Sequence, residues 1–287
     1  MEKFQIFVQL TRLNKPIGFL LLFWPCAWGL TLAFYFSGDV DIYLKHIILF
    51  FLGSVLMRSA GCIVNDIVDK DFDKKILRTK SRPLAADKIT VLNSLIYVIA
   101  LCLAALLILL QFNFLTIGLG LGSMFLAFSY PFMKRITYWP QLFLGLTFNW
   151  GIIMGWSSIT NSISIEPIIL YLSAIFWTLG YDTIYGLQDI RDDEIIGVKS
   201  TSIKFKDNVK IFVGACYSIC IFLILVLSFM MEINKYFLTI SILFISTLLY
   251  QIKSFKIEKP EFCLSAFKMN NLTGFLIFIF IFSFNFS

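Results

Sequence analysis

The chain has 287 residues, of which 59% are hydrophobic and 32 are phenylalanine, and it carries a formal net charge of +6. Its mean hydropathy is +0.83, and its apolar fraction is well above the roughly one half that is typical of soluble domains. The composition excludes a soluble globular protein and indicates a polytopic membrane protein.

Nine apolar stretches are long enough to cross about 30 Å of hydrocarbon. They begin near residues 17, 44, 89, 114, 138, 167, 208, 236 and 270. Residues 1–16 precede them and are typical of an amphipathic helix on the membrane surface, with Pro16 at the entry to the first span. The predicted fold is therefore an all-α polytopic membrane protein: one domain over residues 1–287, with nine transmembrane helices in a bundle.

Basic residues are distributed very unequally between the two sides of the predicted bundle. Twenty-one lysines and arginines lie in the N-terminal arm and in the loops on the same side, whereas only Lys45 and Lys235 lie opposite. The positive-inside rule assigns the basic side to the cytoplasm, so we expect the loops 67–88 and 188–207 to face the cytoplasm. The net charge follows from this topology, and we expect no nucleic-acid partner.

The end of the second span carries several acids in a regular pattern. Asn65, Asp69 and Asp73 are spaced i, i+4 and i+8, and this spacing places them on one stripe of a helix. Grouped carboxylates at a membrane boundary are costly unless a cation lies between them, and oxygen ligands of this kind suit Mg²⁺ shared with a substrate phosphate. The pattern predicts a site for Mg²⁺ and a diphosphate.

Arg58 lies seven residues before Asn65, about two helical turns deeper on nearly the same face. An arginine at that depth costs about 2.5–3.5 kcal/mol, so it should face the bundle interior and a partner. Two alternatives stay open: an ion pair with Asp66 or another carboxylate, or an anchor for an anionic substrate. Arg12, just before the first span, is a second candidate anchor.

Further basic residues follow on the same side of the membrane. Arg78 lies in the loop after the acids, in a run with Lys80 and Arg82 that can close over a polyanion. Tyr130 and Lys134 are one helical turn apart at the end of the fourth span, so a phenol and an ammonium can reach the same phosphate. We expect these groups to bind a diphosphate.

A second acidic stretch ends the sixth span and repeats the pattern. Asp189 and Asp193 are spaced i, i+4, Asp182 lies seven residues earlier near the same face, and Lys199 follows in the loop. One such cluster alone is more often a solvated span end, and an ion-coupled transporter would also keep acids in its spans. The pair of clusters indicates two four-span units plus a ninth helix, with facing acidic stripes.

These motifs resemble those of the UbiA family of membrane prenyltransferases. The family pattern NDxxDxxxD is found at residues 65–73, YxxxK at 130–134 and DxxxD at 189–193. Longer strings at 12–18, 56–66 and 181–193 resemble the members that act on 4-hydroxybenzoate. One departure is Gly186, where the family pattern suggests alanine.

The resemblance implies Mg²⁺-dependent transfer of a polyprenyl group from polyprenyl diphosphate to the ring of 4-hydroxybenzoate, ortho to the hydroxyl, with release of diphosphate, in ubiquinone biosynthesis. The alternative acceptor is another aromatic quinone precursor. The expected metal ligands are Asn65, Asp69, Asp73, Asp189 and Asp193. The expected catalytic residues are Asp69, Asp73, Asp189, Asp193 and Arg135. The expected diphosphate ligands are Asn65, Arg78, Tyr130, Lys134, Arg135 and Lys199. The expected acceptor ligands are Arg58, Arg12 and Asp182.

The lipid bilayer is the remaining expected partner. A long prenyl tail is poorly solvated in water, so we expect a lateral opening to lipid, lined by the phenylalanine-rich spans and without a fixed length limit. The resemblance also implies a bacterial inner (cytoplasmic) membrane, with the active site facing the cytoplasm, and contact with other enzymes of ubiquinone biosynthesis.

Overall fold

A computed structural model describes residues 2–231 and 236–286 of the chain. Within these residues the secondary structure is entirely helical apart from one isolated bridge between Lys256 and Lys259. The α-helices are α1 Glu2–Thr11, α2 Ile17–Ser37, α3 Val40–Val68, α4 Lys70–Asp73, α5 Val91–Leu109, α6 Phe114–Ile136, α7 Pro140–Asn149, α8 Gly151–Thr160, α9 Ile165–Gly186, α10 Ile190–Ile196, α11 Thr201–Lys204, α12 Val209–Met230, α13 Phe237–Ser254, α14 Pro260–Lys268 and α15 Asn270–Phe282. Short 3₁₀ turns cover Leu187–Asp189, Lys206–Asn208 and Ser283–Phe286.

Nine helical segments among the described residues are long and apolar enough to cross a membrane. The predicted all-α fold with nine spans is confirmed. Three of these segments each contain two α-helices: α9 is joined to α10 by a 3₁₀ turn, and α7 with α8 and α14 with α15 follow each other directly. The residues between them, Trp150 and Met269, keep helical backbone angles, so each pair continues in one direction. Gly151 directly follows the first interruption, whereas neither proline nor glycine adjoins the second, at Met269.

The main core surrounds α9, which packs against α12, α7 and α14. Its fully buried side chains include Trp177 and Tyr181, and Trp28 from α2 packs on Trp177 with 5.1 Å between ring centroids. A buried polar network links the outer helices to this core: Gln251 Oε1 accepts hydrogen bonds from the Tyr217 hydroxyl (2.6 Å) and from Asn270 (3.0 Å). Because buried polar groups that are satisfied fix one arrangement of their helices, α9 is a rigid support for the second acidic stretch.

The N-terminal helix and the first long loop cover one end of α3. Leu10 of α1 and Leu84 of the loop are fully buried together with Ala60 and Ile63 of α3. The chain after the first acidic stretch therefore folds back over α3 and does not extend into solvent. This return brings the basic residues of the loop to the acids.

Candidate active site

The first acidic stripe forms where α3 passes into α4. The helix is interrupted at Asp69, but the hydrogen bonds of the helical pattern continue: Asp69 N–H donates to Asn65 O (2.9 Å), and Asp73 N–H donates to Asp69 O (2.8 Å). Asp69 and Asp73 are buried, with exposed fractions of 3% and 4%. Asn65 donates from its side-chain amide to Asp69 Oδ2 (3.1 Å). The predicted stripe is present, although a break separates its two helices.

The C-terminal end of α6 supplies cations to this stripe. Lys134 Nζ forms an ion pair with Asp69 Oδ2, and Arg135 donates from Nη2 to Val68 O (2.8 Å) while it lies 3.9 Å from Asp69 Oδ1. The Arg135 guanidinium lies over the ring of Phe72, 5.0 Å from its centroid. Tyr130, one turn earlier in α6, makes no hydrogen bond with the described part of the chain and leaves its hydroxyl free for a ligand. The predicted group of Tyr130, Lys134 and Arg135 therefore lies at the first stripe.

Arg78 joins the first loop to the second acidic stretch. Its guanidinium binds both carboxylate oxygens of Asp189, with 2.7 Å from Nε to Oδ1. Burial lowers the pKa of Arg78, but its interactions with Asp189 and Tyr185 together outweigh this effect, and the pKa lies above its ordinary value, so the guanidinium stays charged. The charges of Asp189, Lys134 and Arg78 all act on the Asp193 carboxyl group. The two acidic stretches thus lie at one site, connected by cations.

Two residues outside our predicted set complete this network. Asp66 is 1% exposed, and its Oδ1 accepts from Arg12 (2.5 Å) and from Arg82 (3.1 Å). Arg82 also donates to Asp73 Oδ2 (2.7 Å). Arg82 therefore fixes the first loop to the acidic stripe, and the Arg-Pro pair at residues 82 and 83 was the available signal for it.

Arg58, a predicted ligand of the acceptor, lacks a hydrogen-bond partner among the described residues. Its Nε is buried without a hydrogen-bond partner, and the described residues offer its side chain neither a hydrogen bond nor an ion pair within 4.0 Å. The alternative of an ion pair with Asp66 is not realised, because Asp66 binds Arg12 and Arg82. The charge of Arg58 acts on Asp182 of α9.

Arg12 and Lys199 are engaged elsewhere than predicted. Arg12 directs its guanidinium to Asp66, so its acceptor role would require that ion pair to open. Lys199 donates from Nζ to Ile136 O (3.2 Å), and its backbone N–H donates to Lys134 O (2.9 Å). Because the ammonium lies at the last carbonyls of α6, this structure does not bring Lys199 to the carboxylates. It fastens the second loop to α6 instead.

The acids fit a magnesium ion by the chemistry of their donors. All are hard oxygen ligands, and Asp69 Oδ1 is a buried oxygen without a hydrogen-bond partner. No three acids among the described residues come together tightly enough to enclose an ion by themselves, because Lys134, Arg78 and Arg82 lie between them. A small cation that keeps waters and shares phosphate oxygens suits carboxylates at this spacing.

An apolar groove lies beside the stripe, between α3, α5 and α6. Its lining includes Met57, Gly61 and Val64 of α3, Cys102 of α5, and Met124 and Ala127 of α6. Val64 precedes Asn65 directly, and Ala127 lies one turn before Tyr130. The groove therefore begins at the acidic site and extends into the membrane-spanning region.

Comparison with known proteins places this site in a family. The sequence pattern of the UbiA prenyltransferase family matches residues 22–272. The human protein named 4-hydroxybenzoate polyprenyltransferase, mitochondrial, is 42% identical over 278 residues, which cover 96% of this chain and 74% of that protein. The protein of the same name from Drosophila pseudoobscura pseudoobscura is 39% identical over 277 residues, covering 95% of this chain and 68% of that protein.

A solved structure supports the fold independently. A UbiA homolog from Archaeoglobus fulgidus bound to GPP and Mg²⁺ superposes with a TM-score of 0.71 over 98% of this chain and 100% of that chain. Its 19% sequence identity shows a shared fold alone.

The expected bacterial inner membrane with a cytoplasmic active site is wrong. Both curated relatives are named as mitochondrial enzymes, which points to a mitochondrial membrane. The basic asymmetry of the loops gives the side of a membrane and carries no information about the organelle. The multi-pass fold is unaffected by this correction, and because the family pattern covers most of its length, the chain belongs to the UbiA prenyltransferase family.

Proposed function

We propose that this chain transfers a polyprenyl group from polyprenyl diphosphate to the ring of 4-hydroxybenzoate, ortho to the hydroxyl, in ubiquinone biosynthesis. The observation that carries the proposal is the arrangement of charge at one end of the bundle. A mouth of acids and cations, suited to a metal diphosphate, lies near Arg58, a half-buried arginine whose buried Nε has no hydrogen-bond partner among the described residues and which is suited to a carboxylate. The 42% identity to the human 4-hydroxybenzoate polyprenyltransferase agrees with this acceptor.

The reaction breaks the allylic C–O bond of the donor and forms a C–C bond to the aromatic ring. The diphosphate leaves with the bonding electron pair, and the ring carbon that is alkylated then loses its proton. Lys134, Arg135 and Arg78 would stabilise the charge that develops on the leaving diphosphate. Tyr130 would donate its free hydroxyl to a phosphate oxygen.

Magnesium is the cation we assign to the acids. Asn65, Asp69 and Asp73 on one stripe, with Asp189 and Asp193 on the other, would hold it. When bound, Mg²⁺ neutralises charge on the leaving diphosphate. The acids themselves would bind and orient the metal diphosphate, so none needs to act as a nucleophile.

The acceptor would lie deeper, between the diphosphate and Arg58. A guanidinium can bind a carboxylate through two parallel hydrogen bonds, and this fixes the direction of the aromatic ring. Asp182, which faces Arg58, would accept the hydrogen bond of the acceptor hydroxyl. These two groups select a ring that carries both an acid and a phenol.

The direct test is an assay of the purified protein with Mg²⁺, 4-hydroxybenzoate and polyprenyl diphosphates of increasing length. We expect prenylated 4-hydroxybenzoate and diphosphate in equal amounts, and no turnover after chelation of the metal. Faster prenylation of a different aromatic acceptor, such as a homogentisate or a naphthoate, would overturn the proposed acceptor while leaving the reaction class intact.

A further inference from the structure

The guanidinium of Arg58 lies between two residues that belong to different helices. A Cβ atom built on Gly18 of α2 would lie 2.8 Å from Arg58 Nε and 3.4 Å from its Nη2. On the other side, the ring centroid of Phe148 of α7 lies 5.3 Å from Arg58 Cζ. The guanidinium thus occupies the space that a side chain at residue 18 would fill.

Gly18 and Phe148 fix the position of the Arg58 guanidinium without accepting a hydrogen bond from it through their side chains. Neither neighbour provides a hydrogen-bond acceptor from its side chain, and Arg58 Nε remains buried and unpaired. An aromatic face attracts a cation while leaving its N–H groups available. A buried, unpaired N–H of a charged group is costly, so a site that fixes the half-buried guanidinium without neutralising it is suited to an anionic ligand.

We propose that Gly18 and Phe148 are positioning residues that hold the Arg58 guanidinium in the orientation that binds the carboxylate of the aromatic acceptor. This inference rests on the proposed function. Gly18 sets the position of the guanidinium along α3, because any larger residue displaces Nε. Phe148 sets its plane, because the cation lies over the face of the ring.

Two substitutions test the two contacts separately. Gly18→Ala places a methyl group 2.8 Å from Arg58 Nε, which forces the guanidinium to shift. Phe148→Leu removes the aromatic face but keeps an apolar side chain. For both variants we expect KM for 4-hydroxybenzoate to rise about tenfold or more, while KM for the prenyl diphosphate changes less than about twofold. Phe148→Tyr keeps the ring and should retain the wild-type KM for the acceptor.

A matched control lies on α3. Gly53 has no neighbour within 4 Å of an added Cβ, so Gly53→Ala should leave both KM values unchanged. Thermal unfolding of each purified variant in detergent shows whether the bundle is intact. An unfolded Gly18→Ala protein with a folded, unaffected Phe148→Leu protein would overturn the proposal, since only packing would then explain Gly18.

A double variant separates positioning from a direct role. If Gly18 acts only through Arg58, then Gly18→Ala should have no further effect on KM for 4-hydroxybenzoate in the Arg58→Ala background. An equal rise in KM in both backgrounds would refute the positioning role. Competition by benzoate gives a second readout: we expect weaker inhibition of Gly18→Ala and Phe148→Leu than of the wild type, and unchanged inhibition would contradict the proposal.

The outcomes distinguish this inference from the proposed function. If the wild-type protein does not prenylate 4-hydroxybenzoate, the proposed function fails first. If it does, and Gly18→Ala or Phe148→Leu raises only KM for the prenyl diphosphate, then the function stands and Arg58 is positioned for the leaving group instead.

Discussion

Single carboxylates carry different tasks in this site, and Asp69 shows this most directly. One of its oxygens binds Asn65 and Lys134, whereas the other is buried without a hydrogen bond. An oxygen in that state is suited to a metal ion. Asp66, three residues earlier, accepts two arginines on one oxygen and serves to fix Arg12 and Arg82.

Replacement of the acids that we assign to the metal should abolish turnover without unfolding the protein. For Asp69→Asn and for Asp189→Asn we expect a fall in kcat of about a hundredfold or more, because each loses a charge that holds the metal diphosphate. Asp71, an exposed acid between the stripe residues, is the control: Asp71→Asn should keep wild-type rates. Near-normal rates of Asp69→Asn at limiting Mg²⁺ would refute the metal assignment.

Contacts between elements decide how the second loop is held. Gly186 ends α9, and a Cβ there would lie 2.5 Å from Ser202 Oγ and 3.4 Å from Gln141 Nε2. Ser202 is fully buried and donates to Thr183 O (2.8 Å). The departure from the alanine suggested by the family pattern is therefore explained by space: glycine makes room for Ser202.

A pair of substitutions tests this contact. Gly186→Ala should destabilise the protein by about 1–3 kcal/mol through overpacking. Ser202→Ala removes the atom it would meet, so the double variant should be more stable than Gly186→Ala alone. The midpoint of thermal unfolding in detergent measures both effects, and simple additivity of two destabilising changes would contradict the explanation.

The first loop has an electrostatic fastening of its own. Lys70 Nζ lies 2.7 Å and Lys74 Nζ lies 2.9 Å from the carboxylate oxygens of Asp87. The hydrogen bond from Lys70, and after it the one from Lys74, lowers the pKa of Asp87 from its ordinary value of 3.8 to about 2. Because the pKa of Asp87 is lower in the folded loop than its ordinary value, the ionised carboxylate stabilises the loop at any pH above that ordinary value. This contribution is lost as the pH falls through the folded-state pKa.

We therefore expect residues 74–88 to exchange their amide hydrogens faster as pH falls from about 4 towards 2, after correction for intrinsic exchange. Asp87→Asn is the suitable comparison, because asparagine tolerates the positive φ of 52° at this residue. The difference in protection between wild type and variant should be largest above pH 4 and should vanish near pH 2. An equal difference at every pH would exclude a role for this titration.

The spans and the acidic stripes could be predicted from sequence because both depend on local periodicity. Asn65, Asp69 and Asp73 share a face through their spacing alone. The different surroundings of Arg58 and Arg12 could not be predicted, because they depend on contacts between distant parts of the chain. Arg12 meets Asp66 of α3, whereas Arg58 lies between Gly18 and Phe148. The position of Lys199 likewise depends on where the second loop meets the end of α6.

At the scale of the whole molecule, we expect the prenyl tail to reach the lipid through the groove between α3, α5 and α6. Hydrogen bonds from Trp24 to Asn271 (2.9 Å) and from Trp28 to Gly274 O (2.9 Å) close the seam between α2 and α15. The groove, in contrast, has open space beside Gly61, where an added Cβ meets nothing within 4 Å. Each methylene that remains in lipid avoids a cost of about 0.8 kcal/mol in water.

Filling the groove should discriminate between donors by length. For Gly61→Trp we expect a loss of about tenfold or more with long polyprenyl diphosphates and near-normal rates with dimethylallyl diphosphate. Gly53→Trp, on the same helix and also in open space, should affect neither donor. A loss of equal size for short and long donors would show that the tail does not follow this groove.

The central claim is that one site binds a metal diphosphate at its mouth and the acceptor carboxylate at Arg58. Two-substrate steady-state kinetics of Arg58→Ala test it most directly. We predict a rise in KM for 4-hydroxybenzoate that corresponds to about 2–5 kcal/mol, with little change for the prenyl diphosphate, because a buried charge pair with the acceptor is lost. A rise confined to KM for the prenyl diphosphate would contradict the account and assign Arg58 to the leaving group.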